Sequence, residues 1–270
     1  MKAFNRNYIE QELNKISSHL KKPITLYIFG GGAMSFYDLK TATKDIDVIV
    51  KSEKDARSLI DALNTSGYKK IDKIDEIYLK MKTRAIIENQ DGFRWDIFVN
   101  KVCDGLTFSK DMSSRTQPFK KLKKIEINLV SPEDIFIFKS VTSRPRDRED
   151  MFTLFSHGLN IDVIKREIMQ QAKIDENKAW LSFFFVGLDE LVGEYNVVFP
   201  QYDEFREMAE DEMIEHLILN FVEMKSRTLD ELVSLLKCED KIILKILDKL
   251  QIKGLIIKKD KNYQLKLKNV

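Results

Sequence analysis

Ile24-Thr25-Leu26-Tyr27-Ile28-Phe29-Gly30-Gly31-Gly32-Ala33, followed further on by Thr43-Lys44-Asp45-Ile46-Asp47-Val48-Ile49-Val50, decides how this chain is read. Six largely apolar residues running into three glycines predict a buried strand that ends in a tight turn. Residues 33–38 have room for one or two helical turns, and 45–50 reads as a second strand. Asp45 and Asp47 stand at i and i+2, so on a strand both carboxylates point to one face. Two like charges held that close are costly unless something positive sits between them. Mg²⁺ (or Mn²⁺) suits that place, because it takes carboxylate oxygens and shares phosphates of a substrate. Glycines at a strand end let backbone N–H groups approach a phosphate closely.

Outward from this stretch, helix and strand alternate. Residues 7–20 place Ile9, Leu13, Ile16 and Leu20 at helical spacing, with Pro23 beyond the end. Residues 52–66 open on Ser52 with Asp55 three positions on, carry Ala56, Leu59, Ile60 and Leu63 on one face, and stop at Gly67. Strands are expected at 76–88, 93–99 and 124–130. This is an α+β (α/β) pattern with a mixed sheet. In the strand at 93–99, Asp96 is an acid among bulky residues and needs a partner. If that strand neighbours 45–50, Asp96 completes a three-carboxylate cage for one or two metals. It could equally pair with Arg94 or Arg84 across a sheet.

Residues 131–186 read as mostly helical, with Ser131 as an N-cap, Pro132 at the first position and Glu133 and Asp134 in the first turn. Pro145 interrupts this region, and Arg144–Arg148 could be a solvated charge run. The block 189–216 holds ten acids against one Arg and reads mostly as a solvated helical face. Beyond it come a helix at 210–224 with Ile214, Leu217, Ile218 and Phe221 inward, a capping box at Thr228–Glu231, and a helix at 239–253. A hairpin around Asp260-Lys261-Asn262 closes the chain. Three helices and a hairpin are the order of a winged helix-turn-helix. The expected domains are 1–130, 131–208 and 209–270.

Charge and composition bound the partners. The 270 residues carry 45 Lys+Arg against 43 Asp+Glu, a net of +2, which excludes a polycation and an acidic tail protein. With 43% hydrophobic residues the chain can build real cores, so global disorder is excluded. The +2 hides a basic end: from residue 225 onward there are twelve basic and six acidic residues. Lys241, Lys245, Lys249 and Lys253 recur every four residues, and Lys258, Lys259 and Lys261 sit on the hairpin. The stripe could contact nucleic-acid phosphates, or could be the solvated face that any amphipathic helix needs. Winged helices also serve as dimerisation modules, so a homodimer is open. Two distant cysteines, Cys103 and Cys238, argue against a disulfide scaffold or a Cys-ligated zinc site. No apolar leader and no run of eighteen apolar residues are present, so a cytoplasmic protein without a membrane partner is expected.

The ordered set Gly30-Gly31, Asp45-x-Asp47 and Asp96 resembles the nucleotidyltransferases of the DNA polymerase β superfamily. Gly-Gly-x-Ala33 and Thr43-x-Asp45-Ile-Asp47 are similar to its bacterial and archaeal branch related to abortive-infection and toxin–antitoxin proteins. Ser131-Pro132-Glu133-Asp134, Lys139 and Arg144-x-Arg146-Asp147-x-x-Asp150 resemble that branch's closing helix. The resemblance covers about residues 5–165. One departure is Gly31, where the Gly-Ser form has a serine.

The resemblance implies that Asp45 and Asp47 bind Mg²⁺, and that Asp96 binds a second metal and helps deprotonate the attacking hydroxyl. Gly30, Gly31 and Gly32 would hold the phosphates of an NTP, and Lys139, Arg144 or Arg146 would offset their charge. The implied reaction moves NMP from the NTP to a hydroxyl of RNA, tRNA or a protein. One alternative is a nucleic-acid-binding regulator on DNA or RNA, with Lys241, Lys245, Lys249, Lys258 and Lys259 at the interface and an inactive or nucleotide-sensing head. Another is an antitoxin-type protein adenylyltransferase.

Overall fold

The computed structural model describes residues 3–71 and 82–266. Helix α1 (Arg6–His19) starts where the Asn5 side chain accepts the Tyr8 N–H, and buries Ile9, Leu13 and Ile16. Strand β1 (Ile24–Phe29) runs directly into a short helix, α2 (Gly30–Phe36), so the glycines open a helix instead of a loop. Strand β2 (Asp45–Val50) follows, then α3 (Glu53–Thr65), which Ser52 caps by accepting the Asp55 N–H. The expected strand at 76–88 is seen as Ala85–Glu88 (β4); its first part lies outside the described residues.

Seven strands form one mixed sheet in the order β3-β4-β5-β2-β1-β9-β8. Besides those named, these are β3 (Lys69–Lys70), β5 (Arg94–Val99), β8 (Gln117–Lys121) and β9 (Ile125–Leu129). Strand β2 lies antiparallel to β1 on one side and parallel to β5 on the other. Strand β1 is apolar but for Thr25, and β2 is apolar but for Asp45 and Asp47, as burial on both sheet faces demands of the remaining positions. The fold is therefore mixed α+β. A small ribbon, β6 (Lys101–Val102) with β7 (Leu106–Thr107), and a helix α4 (Lys110–Arg115) lie between β5 and β8.

Four helices follow: α5 (Pro132–Ser140), α6 (Pro145–His157), α7 (Ile161–Ile174) and α8 (Trp180–Tyr195). Pro145 does not interrupt a helix. It occupies the first turn of α6, where its missing N–H costs nothing. Arg148 is buried, so the run 144–148 is not a solvated stretch either. The core that starts at Phe4 continues through these helices to Phe205.

The last part carries α9 (Tyr202–Met224), β10 (Arg227–Thr228), α10 (Leu229–Leu236), α11 (Asp240–Ile252), β11 (Ile256–Lys259) and β12 (Asn262–Leu265). The capping box at Thr228 and Glu231 forms in both directions. Strand β12 pairs with β11 as a hairpin and with β10 on its other edge. Ile218, Val222, Leu232, Ile243, Ile246, Leu247, Leu250, Ile256 and Tyr263 build a second core cluster. Leu217, expected inward, is 39% exposed; Ile218 and Val222 take the inner face of α9. Among the described residues no helix is long and apolar enough to cross a membrane.

Helices α5 and α8 cross so closely that a Cβ on Gly187 would overlap the Ser140 carbonyl. Gly187→Ala should therefore lower stability by about 3 kcal/mol, the upper range for overpacking against backbone. Urea unfolding checks this, and an unchanged midpoint would contradict the close crossing.

Candidate active site

The register between β2 and β5 places Asp45 beside Arg94 and Asp47 beside Asp96. All four side chains stand on one sheet face at the end of β2 nearest the glycines. Arg94 Nη2 lies 2.6 Å from Asp45 Oδ2, and its Nε lies 2.9 Å from Asp96 Oδ1. Strand β5 neighbours β2, as the expected cage required, and Asp96 pairs with Arg94, but the three carboxylates do not close into a metal cage. Asp45 pairs with Arg94, not with Lys44. Among the described residues no three His, Cys, Asp or Glu groups converge to hold a metal by themselves.

Burial pushes the Asp47 carboxyl up to about 7, with the charge of Asp45 adding to it and Lys139, Arg144 and Arg94 opposing. Asp96 is also raised well above the ordinary carboxylate range, by burial first and then by Asp47 and Asp45. Among the described residues Asp47 has no ion-pair partner. Burial and mutual repulsion therefore make full ionisation of this face costly without a further cation.

Gly30 has φ +60°, a conformation that glycine adopts without strain. A Cβ there would overlap Asp47 Oδ2, so the carboxylate lies directly against the turn. A Cβ on Gly31 would come within 2.8 Å of Thr43 Oγ1, which itself donates to the Asp45 carbonyl. Thr43 fills the space that a side chain at position 31 would need, and this accounts for glycine at that position. Gly32 packs against Ile28 and Ile46 and serves the helix–sheet contact.

A cavity of about 720 Å³ opens over this face. Gly31, Asp45, Asp47 and Asp96 line it together with the cations Lys40, Lys44, Arg94, Lys139, Arg144 and Arg146. Lys139 Nζ sits 2.7 Å from Asp147 and 2.8 Å from Asp150. Lys40 reaches Asp150 at 2.6 Å, and Arg144 reaches Asp147 at 2.8 Å. Burial alone would lower the Lys139 ammonium, but the two aspartates outweigh it and hold it raised. Arg146 is exposed at the cavity and makes no ion pair among the described residues. Sequence reasoning missed Lys40 and gave Arg94 only a pairing role. The strand alternation that placed Asp96 with Asp45 and Asp47 also places Arg94 there, and was the available signal.

The basic stripe of α11 is placed differently from a bare recognition face. Lys245 pairs with Asp211 at 2.7 Å, Lys249 with Glu215 at 2.8 Å, and Lys253 also with Glu215. Lys241 pairs with Glu239 at 2.8 Å. The acids of α9 are thus not all solvated. Glu215 is buried beneath the lysines, and Glu212 accepts the Leu181 and Ser182 N–H groups at the start of α8. On the hairpin, Lys258 and Lys259 are exposed, with Lys258 over the Tyr263 ring.

Burial acts to raise the Glu215 carboxyl, but hydrogen bonds from Lys249 and Lys253 prevail and hold it below its ordinary 4.5. A depressed carboxyl stabilises the fold above its unfolded value and loses that contribution as the pH falls through the folded one. The stability gap between wild type and Glu215→Gln should be on the order of 1 kcal/mol at neutral pH. It should close as the pH drops below 4.5. Urea midpoints across that range check it; a gap independent of pH would contradict the pairing.

The family described as "Nucleotidyltransferase of unknown function (DUF6036)" matches residues 7–186. A solved structure described as "putative nucleotidyltransferase from H. pylori" is similar at 15% identity. The likeness covers 92% of this chain and 96% of that one, with a TM-score of 0.37, too loose to transfer anything to this chain. No curated protein matches.

Proposed function

The chain belongs to the DUF6036 family of nucleotidyltransferases, and from that we propose a Mg²⁺-dependent (or Mn²⁺-dependent) enzyme of the DNA polymerase β superfamily. It moves NMP from an NTP to a hydroxyl of RNA, tRNA or a protein and releases pyrophosphate. The observation that carries this reading is the Asp45–Asp47 face lying against the Gly30 turn, in a cavity that Lys and Arg side chains also line.

The residues fit a divalent ion. Asp47 is held partly out of water with its pKa raised and no ion-pair partner among the described residues, which is the chemistry of a carboxylate awaiting a cation. Two carboxylates suffice, because Mg²⁺ completes its shell with substrate phosphates and water. Asp45 and Asp47 would hold it. The ion, when bound, supplies positive charge to the phosphate oxygens at which negative charge develops.

The chain's own groups do the rest. Gly31, which lines the cavity at the start of α2, would bring backbone N–H groups to the triphosphate, with Gly30 and Gly32 shaping that approach. Lys139 and Arg144, fixed by Asp147 and Asp150, bring positive charge to the cavity that the carboxylates line. Arg146 and Lys40 are nearer to solvent and suit the departing pyrophosphate.

The domain division at 130 and 208 belongs to this reading, with 209–270 as a winged helix-turn-helix that brings the acceptor or a partner protein. The separate core around Ile218–Tyr263 supports the last unit, while the core from Phe4 to Phe205 runs across residue 130. Because α9 neutralises the stripe on α11, the hairpin lysines Lys258 and Lys259 are the better acceptor contacts.

The test incubates the protein with each labelled NTP, Mg²⁺ and total RNA or lysate. Label should enter RNA or protein, and Asp45→Ala and Asp47→Ala should each lower it at least about 100-fold. Absence of label with every NTP, or full labelling by both variants, would overturn the assignment.

A further inference from the structure

We infer that Arg94 takes the place of a second divalent ion, so that the site binds one metal per chain. The inference rests on the metal-binding reading of Asp45 and Asp47 above. Its basis is the way one guanidinium spans two carboxylates. Nη2 bonds Asp45 Oδ2 at 2.6 Å and Asp96 Oδ2 at 3.1 Å, while Nε stands 2.9 Å from Asp96 Oδ1. Nη2 thus bridges Asp45 and Asp96 by charge-assisted hydrogen bonds, while Nε adds ion-pair attraction to Asp96 Oδ1 without a hydrogen bond between them.

This arrangement is built into the backbone. Arg94 and Asp96 are two residues apart on β5, and β5 is in register with β2, so the guanidinium cannot leave the carboxylate face without changing rotamer. The Asp96 side chain is 2% exposed, and Arg94 is its ion-pair partner among the described residues. Displacing the guanidinium would leave Asp96 buried without that counter-charge, beside two further acids.

The open position is on the other flank. Asp47 has no ion pair among the described residues, and Asp45 keeps its Oδ1 outside the contacts with Arg94. Those two carboxylates make the single metal site, against the Gly30 turn. Asp96 is then a positioning residue for Arg94 and not a metal ligand. Arg94 brings its fixed charge to the cavity that it lines.

Mn²⁺ titration of the full chain, followed by the electron paramagnetic resonance of free Mn²⁺, tests this with and without an equimolar α,β-methylene analogue of ATP. Wild type should bind one ion per chain. Asp96→Asn should keep that ion, Asp47→Asn should lose it, and a folded Arg94→Gln should gain a second. Two ions in wild type, loss of the ion in Asp96→Asn, or a folded Arg94→Gln that stays at one would each overturn the inference while leaving Asp45 and Asp47 as ligands. Wild type that binds none would overturn the metal reading itself. If Arg94→Gln does not fold, by circular dichroism, the two aspartate variants decide between the outcomes.

Discussion

Parallel pairing of Asp45–Val50 with Arg94–Val99 in one register is the constraint from which the site follows. Both strands are otherwise apolar and lie in the middle of the seven-stranded sheet. Their charged ends therefore meet where little water can screen them. Taking a charge out of water costs several kcal/mol even after relaxation, by roughly the amounts known for buried ions. The raised carboxyls of Asp47 and Asp96 express that cost. Arg94 offsets part of it from inside the sheet, and Asp47 remains the carboxylate that looks toward the cavity.

The cations that line the cavity are organised by the same logic with signs reversed. Lys139 is 9% exposed and would be destabilised by burial alone. Asp147 and Asp150, one helical turn apart on α6, hold it, and they also hold Arg144 and Lys40. Pro145 at the start of α6 sets the chain direction that brings both aspartates over Lys139. The cations are thus fixed in place by the fold itself. Arg148, behind them, ties α6 back to α5 through the Lys139 carbonyl at 3.0 Å.

Much of this was legible in the residues. The strand at 24–29, the strand at 45–50 and the cap at Ser131 come from apolar runs and local hydrogen-bonding side chains, which depend on few distant contacts. Alternation on a strand was enough to align Asp45 with Asp47, and to bring in Asp96 once β5 neighbours β2. Less legible were features set by tertiary partners. The edge strands Lys69–Lys70 and Gln117–Lys121 carry almost no apolar signal, because their side chains are exposed. Glu212 and Glu215 look like members of a solvated acidic block until the start of α8 and the lysines of α11 are brought against them. Pro145 reads as a break or as a first-turn residue, and only the chain around it decides. The position of Arg94 between two carboxylates is a matter of rotamer and packing that spacing alone does not settle.

The account's central claim is that the β2 carboxylates beside the glycine turn form a metal–nucleotide site. The most direct measurement is the anomalous-scattering map of a crystal grown with Mn²⁺ and a non-hydrolysable NTP analogue. The account predicts a Mn²⁺ peak within bonding distance of Asp45 and Asp47, with the analogue's phosphates between the Gly30–Gly32 turn and Lys139. A peak remote from both aspartates, with the analogue bound elsewhere, would contradict it.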